Sequence, residues 1–130
     1  MIIGRVDDYG RSLVPVSLYH PVTLATIGFE AWIDTGFTGG LMLTPVQISA
    51  LGLPRASTVR GTLGDGSQVT FDTYSCQIDW FGRRLSLDAL ETRGRFALIG
   101  IHLLQDCTLV TDYPARTVSL TALPGLPSFP

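Results

Sequence analysis

Cysteine, histidine, charged residues and long apolar runs are all scarce in this sequence. Two cysteines and two histidines are too few for a disulfide framework or a metal set, so we expect no bound metal, and free buried thiols at Cys76 and Cys107. Only 15% of the residues are charged and the net charge is −2 with no basic cluster, which argues against a nucleic-acid partner. No apolar run approaches the roughly 20 residues that span a bilayer. The first residues lack the pattern of a signal peptide, so we expect a cytoplasmic protein without a membrane partner.

Glycine and proline, in contrast, are abundant. Fourteen glycines and eight prolines are scattered through short apolar runs, which predicts an all-β fold of short strands with one or two short helices. A chain of 130 residues is one domain, which we expect to occupy residues 1–121, followed by a proline-rich tail at 122–130. Strands are predicted at 2–6, 12–19, 26–34, 71–80 and 84–90, with a final hairpin around 109–120.

Three local patterns refine this prediction. Pro15 pushes the second strand towards a sheet edge or a bulge. In the third strand, Ile27, Phe29, Ala31 and Ile33 alternate with Glu30 and Trp32, so the two sets should lie on opposite faces. In the strand at 71–80, Tyr74, Cys76, Ile78 and Trp80 should point inward and Thr73, Ser75, Gln77 and Asp79 outward.

One helix has clear start and stop signals. Thr44 is a suitable N-cap, Pro45 suits the first helical position, and Gln47 completes a capping box. Gly52 follows the last apolar position and ends the helix. The helix is therefore predicted at residues 45–51. A second short helix is expected to begin within 101–104 and to end around Asp106.

Two glycine-containing segments complete the pattern. Gly61, Gly64 and Gly66 surround Asp65, and we expect a hairpin tip with Asp65 as a turn residue. A phosphate-binding loop is the rival interpretation, but no helix and no Lys-Ser/Thr pair follows the glycines. Residues 96–100 form a continuous apolar run ending in glycine, which predicts a strand buried on both faces.

The chemistry points to Asp34. It ends an apolar strand and is followed at once by Thr35 and Gly36, so one carboxylate is delivered to a tight turn between apolar segments. No histidine lies in a recognisable nucleophile context, which argues against serine or cysteine catalysis. One carboxylate cannot serve as both acid and base, whereas two that share a proton can. A symmetric dimer would supply the second Asp34. An ordinary Asp turn in a structural barrel remains the alternative.

Asp34-Thr35-Gly36, the glycine-tipped hairpin at 61–67 and Ala97-Leu98-Ile99-Gly100 together resemble a retropepsin, the single-lobed dimeric relative of pepsin. Gly100 follows Asp34 by 66 positions, a spacing similar to that of the family. The stretches 34–39, 51–54 and 64–67 resemble, more narrowly, a prokaryotic family of clan AA aspartic proteases. The resemblance covers roughly residues 2–121.

The resemblance implies a closed β-barrel that acts as a symmetric homodimer on a peptide or protein substrate, with no cofactor. It implies catalytic roles for Asp34, Thr35 and Gly36, with Thr35 locking the two turns across the dimer. Residues 61–67 would be a flap over the substrate, and the run 97–100 would pack behind the catalytic turn. The expected substrate-binding residues are Phe37, Thr62, Leu63, Gly64, Asp65, Gly66 and Ile99.

Two features depart from the retroviral pattern. Many retroviral enzymes pair an Asp two positions after the glycine of the triplet with an Arg after the later glycine. Here those positions are Thr38 and Ile101, so that ion pair is absent. The expected flap also lacks an aromatic residue, Leu63 being its largest apolar side chain. The predicted function is aspartic endopeptidase; the alternative is a non-catalytic barrel that binds a peptide or partner protein.

Overall fold

Ten strands and two short helices lie within residues 1–123, the part of the chain that the computed structural model describes. In chain order the elements are β1 (Ile2–Val6), β2 (Ser12–Tyr19), β3 (Thr26–Ile33), β4 (Leu41–Leu43), α1 (Pro45–Leu51), β5 (Arg55–Thr62), β6 (Gln68–Trp80), β7 (Arg83–Glu91), β8 (Leu98–Ile99), α2 (Ile101–Leu104), β9 (Cys107–Asp112) and β10 (Thr117–Ala122). Of the predicted proline-rich tail, residues 124–130 lie outside the described residues.

The strands pair in the order β5-β6-β7-β4-β8-β3-β2-β1-β10-β9, and β6 also pairs with β2. This extra pairing closes a ring of six strands, β2, β3, β8, β4, β7 and β6, while β1, β10 and β9 extend the sheet beyond it. The all-β closed barrel of short strands with two short helices, predicted from the sequence, is confirmed. Within residues 1–123, no helix has the length and apolarity needed to cross a membrane.

The barrel interior holds the core. On β3, Ala31 and Ile33 are buried and Glu30 and Trp32 are exposed, as the alternation predicted. Helix α1 has its predicted bounds: the Thr44 hydroxyl accepts a hydrogen bond from the Gln47 amide, the Gln47 side chain accepts one from the Thr44 amide, and Gly52 caps the C-terminus in the left-handed conformation. Ile48 and Leu51 bury its apolar side.

Pro15 does not place β2 at a sheet edge, because β2 is an interior strand of the barrel. On one side it pairs with β3 from Leu13 to Tyr19. On the other side it pairs with β1 at Ser12 and Leu13 and with β6 at Leu18 and Tyr19. Pro15 lies in the gap between these two partners, where a missing amide hydrogen disrupts no ladder on that side.

Thr73 is buried, although the strand pattern placed it outside. Its side chain is 2% exposed. The Thr73 hydroxyl lies 3.0 Å from the Ser57 hydroxyl and accepts a hydrogen bond from the Ser57 amide at 3.1 Å. The bulge of β5 between Arg55 and Ser57 brings this polar pair over β6. The cross-strand partner satisfies the hydroxyl, so a polar residue is tolerated there.

Candidate active site

Asp34 lies immediately after β3 in a turn that backbone hydrogen bonds hold. Its amide donates to the Ile99 carbonyl at 2.9 Å, and its carbonyl accepts from the Phe37 amide at 3.1 Å. The Gly36 amide donates to Oδ1 of Asp34 at 2.9 Å. A Cβ at Gly36 would lie 3.2 Å from the same oxygen, so glycine permits the close approach that orients the carboxylate. Thr35 and Gly36 are exposed beside it.

Strand β8 packs behind this turn. It pairs in parallel with β3, which enters the turn, and antiparallel with β4, which leaves it. The run at 97–100 thus lies where the resemblance placed it. The strand is shorter than the predicted run at 96–100, because only Leu98 and Ile99 carry the pairing to both neighbours.

Backbone hydrogen bonds tie the loop at 34–40 to the start of α2, at the positions where the retroviral pattern has an ion pair. The Gly100 amide donates to the Gly40 carbonyl at 2.9 Å, and the Ile101 amide donates to the Phe37 carbonyl at 2.9 Å. The His102 amide donates to the Gly39 carbonyl at 3.1 Å. A Cβ at Gly100 would overlap the Gly39 carbonyl oxygen and come within 2.6 Å of the Phe37 carbonyl oxygen. The two segments therefore touch through their backbones.

Asp34 opens onto a cleft of about 680 Å³. Three segments line it: the loop at 34–40 with β4, the β5–β6 hairpin, and the end of β7 with the loop after it. The lining residues are Asp34, Gly36, Phe37, Thr38, Gly39, Met42, Val59, Arg60, Gly61, Thr62, Leu63, Gly64, Val69, Phe71, Leu90, Thr92, Arg93, Gly94 and Leu98. Asp34 is the single carboxylate among them.

Of the predicted site residues, the cleft brings together Asp34, Gly36, Phe37, Thr62, Leu63 and Gly64. Thr35, Asp65 and Gly66 do not line it. The prediction for Ile99 is wrong, because its side chain is fully buried in the core. Its neighbour Leu98 lines the cleft instead, since successive strand residues face opposite sides of a sheet. A continuous apolar run gives no alternation from which this choice could have been made.

The hairpin over the cleft is longer than its predicted tip. In the ladder, Val59 lies opposite Phe71 and Gly61 opposite Val69, and all four line the cleft. A Cβ at Gly61 would come within 2.8 Å of the Phe71 ring, so the ring packs under the glycine backbone. Residues 61–67 themselves contain no aromatic residue, but the longer hairpin places Phe71 beside Gly61. The cross-strand register was the missing signal, since Phe71 is ten residues after Gly61 but lies beside it.

The carboxylate of Asp65 is engaged within the hairpin tip. Its Oδ1 accepts hydrogen bonds from the Ser67 hydroxyl at 2.6 Å and from the Ser67 amide at 2.9 Å. These bonds lower the pKa of Asp65. Gly66, with φ of 86°, occupies the left-handed position of the turn. Asp65 is a turn residue, as its sequence context indicated.

A second cavity, of about 230 Å³, is lined by His102, Asp106 and Cys107 among others. Burial and the nearby Asp106 raise the pKa of the Cys107 thiol, and burial raises that of Cys76 to about 12. A nucleophilic cysteine needs the opposite shift, so neither free thiol is suited to catalysis. Across residues 1–123, no three or more His, Cys, Asp or Glu side chains are grouped to hold a metal ion.

No protein-family model and no curated protein sequence matches the chain. Solved structures do match its fold. The EIAV protease in complex with the inhibitor HBY-793 is 22% identical, with a TM-score of 0.54 over 74% of this chain and 86% of that chain. A retropepsin-like aspartic protease from Rickettsia conorii is 16% identical, with a TM-score of 0.57 over 92% of this chain and 88% of that chain. The predicted retropepsin-like fold is confirmed, whereas the narrower prokaryotic resemblance stays a prediction.

Proposed function

We propose that this chain of retropepsin-like fold is an aspartic endopeptidase, in which two Asp34 carboxylates, one from each subunit of a symmetric homodimer, activate a water molecule against a peptide bond. The observation that carries the proposal is the single carboxylate of Asp34, held by the Gly36 amide at 2.9 Å at the head of a substrate-sized cleft. A twofold axis beside this turn would pair it with its own copy. Thr35, exposed next to it, is available for the contact between the two turns.

Two carboxylates brought together cannot both ionise at low cost, so the pair shares one proton. The ionised carboxylate removes a proton from water as the water oxygen bonds to the carbonyl carbon. The protonated carboxylate gives its proton to the carbonyl oxygen, forming a neutral tetrahedral diol. Collapse of the diol breaks the C–N bond, with a proton delivered to the leaving nitrogen. Every proton in this sequence moves between the dyad, water and substrate, so the reaction needs no metal or cofactor.

The cleft suits an extended peptide. Its floor and roof offer the apolar side chains of Met42, Phe71, Leu90 and Leu98, and the exposed hairpin backbone offers hydrogen-bonding groups to a peptide lying as a strand. Closing the β5–β6 hairpin over the substrate would exclude bulk water from the two carboxylates. We therefore expect cleavage within extended segments at apolar residues.

The test is cleavage of an unbiased peptide mixture between pH 3.5 and 7 by the wild type and by Asp34→Asn. The asparagine keeps an oxygen that accepts from the Gly36 amide, so the fold and dimer should survive. It cannot exchange the proton, so cleavage should fall by about 10²–10⁴-fold. The wild-type rate should decline above neutrality as the dyad loses its shared proton. Equal product yields from the two proteins, or a rate that stays flat up to pH 9, would contradict the mechanism.

Asp112→Asn is the matched control. Its carboxylate also accepts from a backbone amide in a turn, that of Ala115 at 3.0 Å, but in the β9–β10 turn outside the cleft lining. It should retain wild-type cleavage.

The alternative function, a non-catalytic barrel that binds a peptide or partner protein, has support in the same geometry. One chain contributes one Asp34, and its apolar cleft would hold a peptide without a dyad. A wild type that binds extended peptides, cleaves none and stays monomeric at high concentration would favour this alternative.

A further inference from the structure

Charge is distributed unevenly around the cleft. The chain contains no lysine, and its nine basic residues are all arginines. Two of them, Arg60 and Arg93, are among the cleft-lining residues, where Asp34 is the one acidic residue. The protein as a whole has a net charge of −2, so the excess of arginine over carboxylate among these lining residues is a local feature.

Arg93 has no partner within residues 1–123. Most arginines of the described chain are engaged: Arg5 with Glu30, Arg11 with Asp7, Arg55 with Asp72, Arg116 with Asp8, and Arg84 against the Tyr19 ring. The guanidinium of Arg93 makes no such ion pair, hydrogen bond or ring contact. Its donors are free for a ligand.

The loop that carries Arg93 is anchored on both sides of it. Thr92 is 7% exposed, and its amide donates to the Leu43 carbonyl at 2.8 Å. Its hydroxyl accepts from the Gly94 amide at 3.0 Å. The backbone of Arg93 is therefore fixed at the cleft wall, which limits the conformational entropy lost when its side chain binds.

The direction of the Arg60 side chain follows from the alternation of β5. Val59 and Gly61 face the cleft with Phe71 and Val69 opposite them. Alternation along β5 places the side chain of Arg60, between them, on the outer face of the hairpin. Arg60 therefore borders the cleft through its backbone and serves as a matched control for Arg93.

We propose that Arg93 recognises an acidic side chain of the substrate peptide, a specificity that rests on the proposed endopeptidase function. A bound peptide displaces water from the cleft wall, and an unpaired guanidinium loses hydration unless the peptide returns an acceptor. A carboxylate matches the guanidinium with two parallel, charge-assisted hydrogen bonds. Because a symmetric dimer presents two copies of Arg93, the preference should occur at one position on each side of the scissile bond.

The experiment uses the full chain and C-terminally amidated peptides that share an apolar cleavage site and carry Glu or Gln at one scanned position. For the wild type, kcat/KM should be about tenfold higher for Glu than for Gln at the preferred positions, a ratio typical of one charged hydrogen-bonded contact. Arg93→Gln should bring the ratio close to one. Arg60→Gln and Arg95→Gln, the latter an exposed arginine outside the cleft lining, should keep it.

The Glu:Gln ratio should also depend on pH. It should fall towards one as the pH drops below about 4.3, the ordinary pKa of a glutamic acid side chain, because the neutral acid resembles glutamine. A wild-type ratio of one at every position, or a ratio that Arg60→Gln or Arg95→Gln removes as completely as Arg93→Gln, would overturn the proposal.

Failure of the endopeptidase proposal can be distinguished from failure of the Arg93 proposal. If the wild type cleaves neither peptide set, the endopeptidase proposal fails, and fluorescence anisotropy with labelled peptides then tests the recognition alone. Tighter binding of Glu than of Gln peptides, lost in Arg93→Gln, supports recognition of the acidic side chain. Equal binding overturns it.

Discussion

Gly100 lies at the close approach between the loop at 34–40 and the start of α2. Its φ of −103° and ψ of 179° are open to any residue, so the requirement for glycine lies in space. A Cβ would meet two carbonyl oxygens, those of Phe37 and Gly39, and neither can yield without breaking its hydrogen bond to Ile101 or His102. The glycine thereby allows backbone to take the place of the missing ion pair.

Gly100→Ala should lower the free energy of unfolding by about 3 kcal/mol, the upper end of the range for overpacked sites. Cleavage should fall as well, because the loop that must move carries the turn of Asp34. Urea denaturation measures the first effect and peptide cleavage the second. Gly28→Ala is the control, since its Cβ would lie 3.8 Å from the Val16 carbonyl oxygen, and its free energy should stay within about 0.5 kcal/mol of the wild type. Equal stability of the two variants would contradict this prediction, because it would show that the backbone around Gly100 moves to accommodate a Cβ at no cost in stability.

At the scale of single residues, the roles that could be predicted from the sequence are those that depend on nearby positions. Asp34 at a strand end, Asp65 in a glycine turn and the Thr44 cap were each predicted from neighbours within four positions. The choice between Leu98 and Ile99 was not available, because both are apolar and the facing direction depends on the pairing with β3 and β4. The burial of Thr73 likewise depends on Ser57, a partner sixteen residues away.

The turn between β1 and β2 shows how an element is fixed by one charged residue. Asp7 is 9% exposed and accepts from the Tyr9 and Arg11 amides at 3.0 and 2.9 Å and from Nε of Arg11 at 2.7 Å. The Arg11 guanidinium lies 3.9 Å from the centre of the Phe96 ring. Asp7 thus holds the arginine that connects this turn to the segment leading into β8.

The pH dependence of this contact follows from two opposing effects on the pKa of Asp7. Burial raises that pKa, but the hydrogen bonds from Arg11 and Tyr9 outweigh it and leave the pKa below its ordinary value. A lowered carboxyl pKa stabilises the fold fully above the unfolded-state pKa of about 3.9, and the contribution is lost as the pH falls through the folded-state pKa.

Asp7→Asn should therefore lower Tm by several degrees at pH 7 and by progressively less as the pH drops below about 4, because the unfolded chain takes up the proton first and Asp7 in the fold takes it up at lower pH. Thermal melts of both proteins across pH 2.5–7 measure the difference. Asp8→Asn is the neighbouring control: its carboxylate is 90% exposed in a bridge to Arg116, and exposed bridges contribute little. If Asp7→Asn lowers Tm by the same amount at pH 3 and at pH 7, the stabilising role of the ionised Asp7 carboxylate is contradicted.

Among the elements, both ends of α1 were predicted correctly because the capping residues lie at or next to the helix ends in the sequence. The flap was predictable only at its tip. Its ladder runs back to Arg55 on one arm, and the aromatic residue under it is on the other arm, so the register between β5 and β6 decides what faces the cleft. The register between paired strands cannot be derived from the sequence of either strand alone, so the residues that face the cleft could not be predicted.

At the scale of the whole molecule, the barrel closes through two pairs, Leu18 with Ile78 and Tyr19 with Gln77. Sixty and fifty-eight positions separate the partners in the sequence. Nothing in the sequence near any of the four residues indicates that they pair. The fold class followed from strand count and turn content, whereas the pairing that makes a barrel of the sheet came from the resemblance. The homodimer, which would place a second Asp34 beside the first, was expected from the need for two carboxylates as well as from the resemblance.

The shared site can be tested by mixing subunits. If each active site needs one Asp34 from each subunit, inactive Asp34→Asn subunits should capture wild-type subunits in dead heterodimers. With random exchange and a ninefold excess of variant, wild-type activity should fall to about one-tenth. The double variant Asp34→Asn/Thr35→Ala is the control: if Thr35 locks the two turns, it should dimerise less well and suppress less at the same concentration. If no excess of Asp34→Asn lowers the wild-type activity, one subunit cleaves alone. The second carboxylate would then have to come from the same chain. Among the described residues that line the cleft, the chain has no carboxylate besides Asp34.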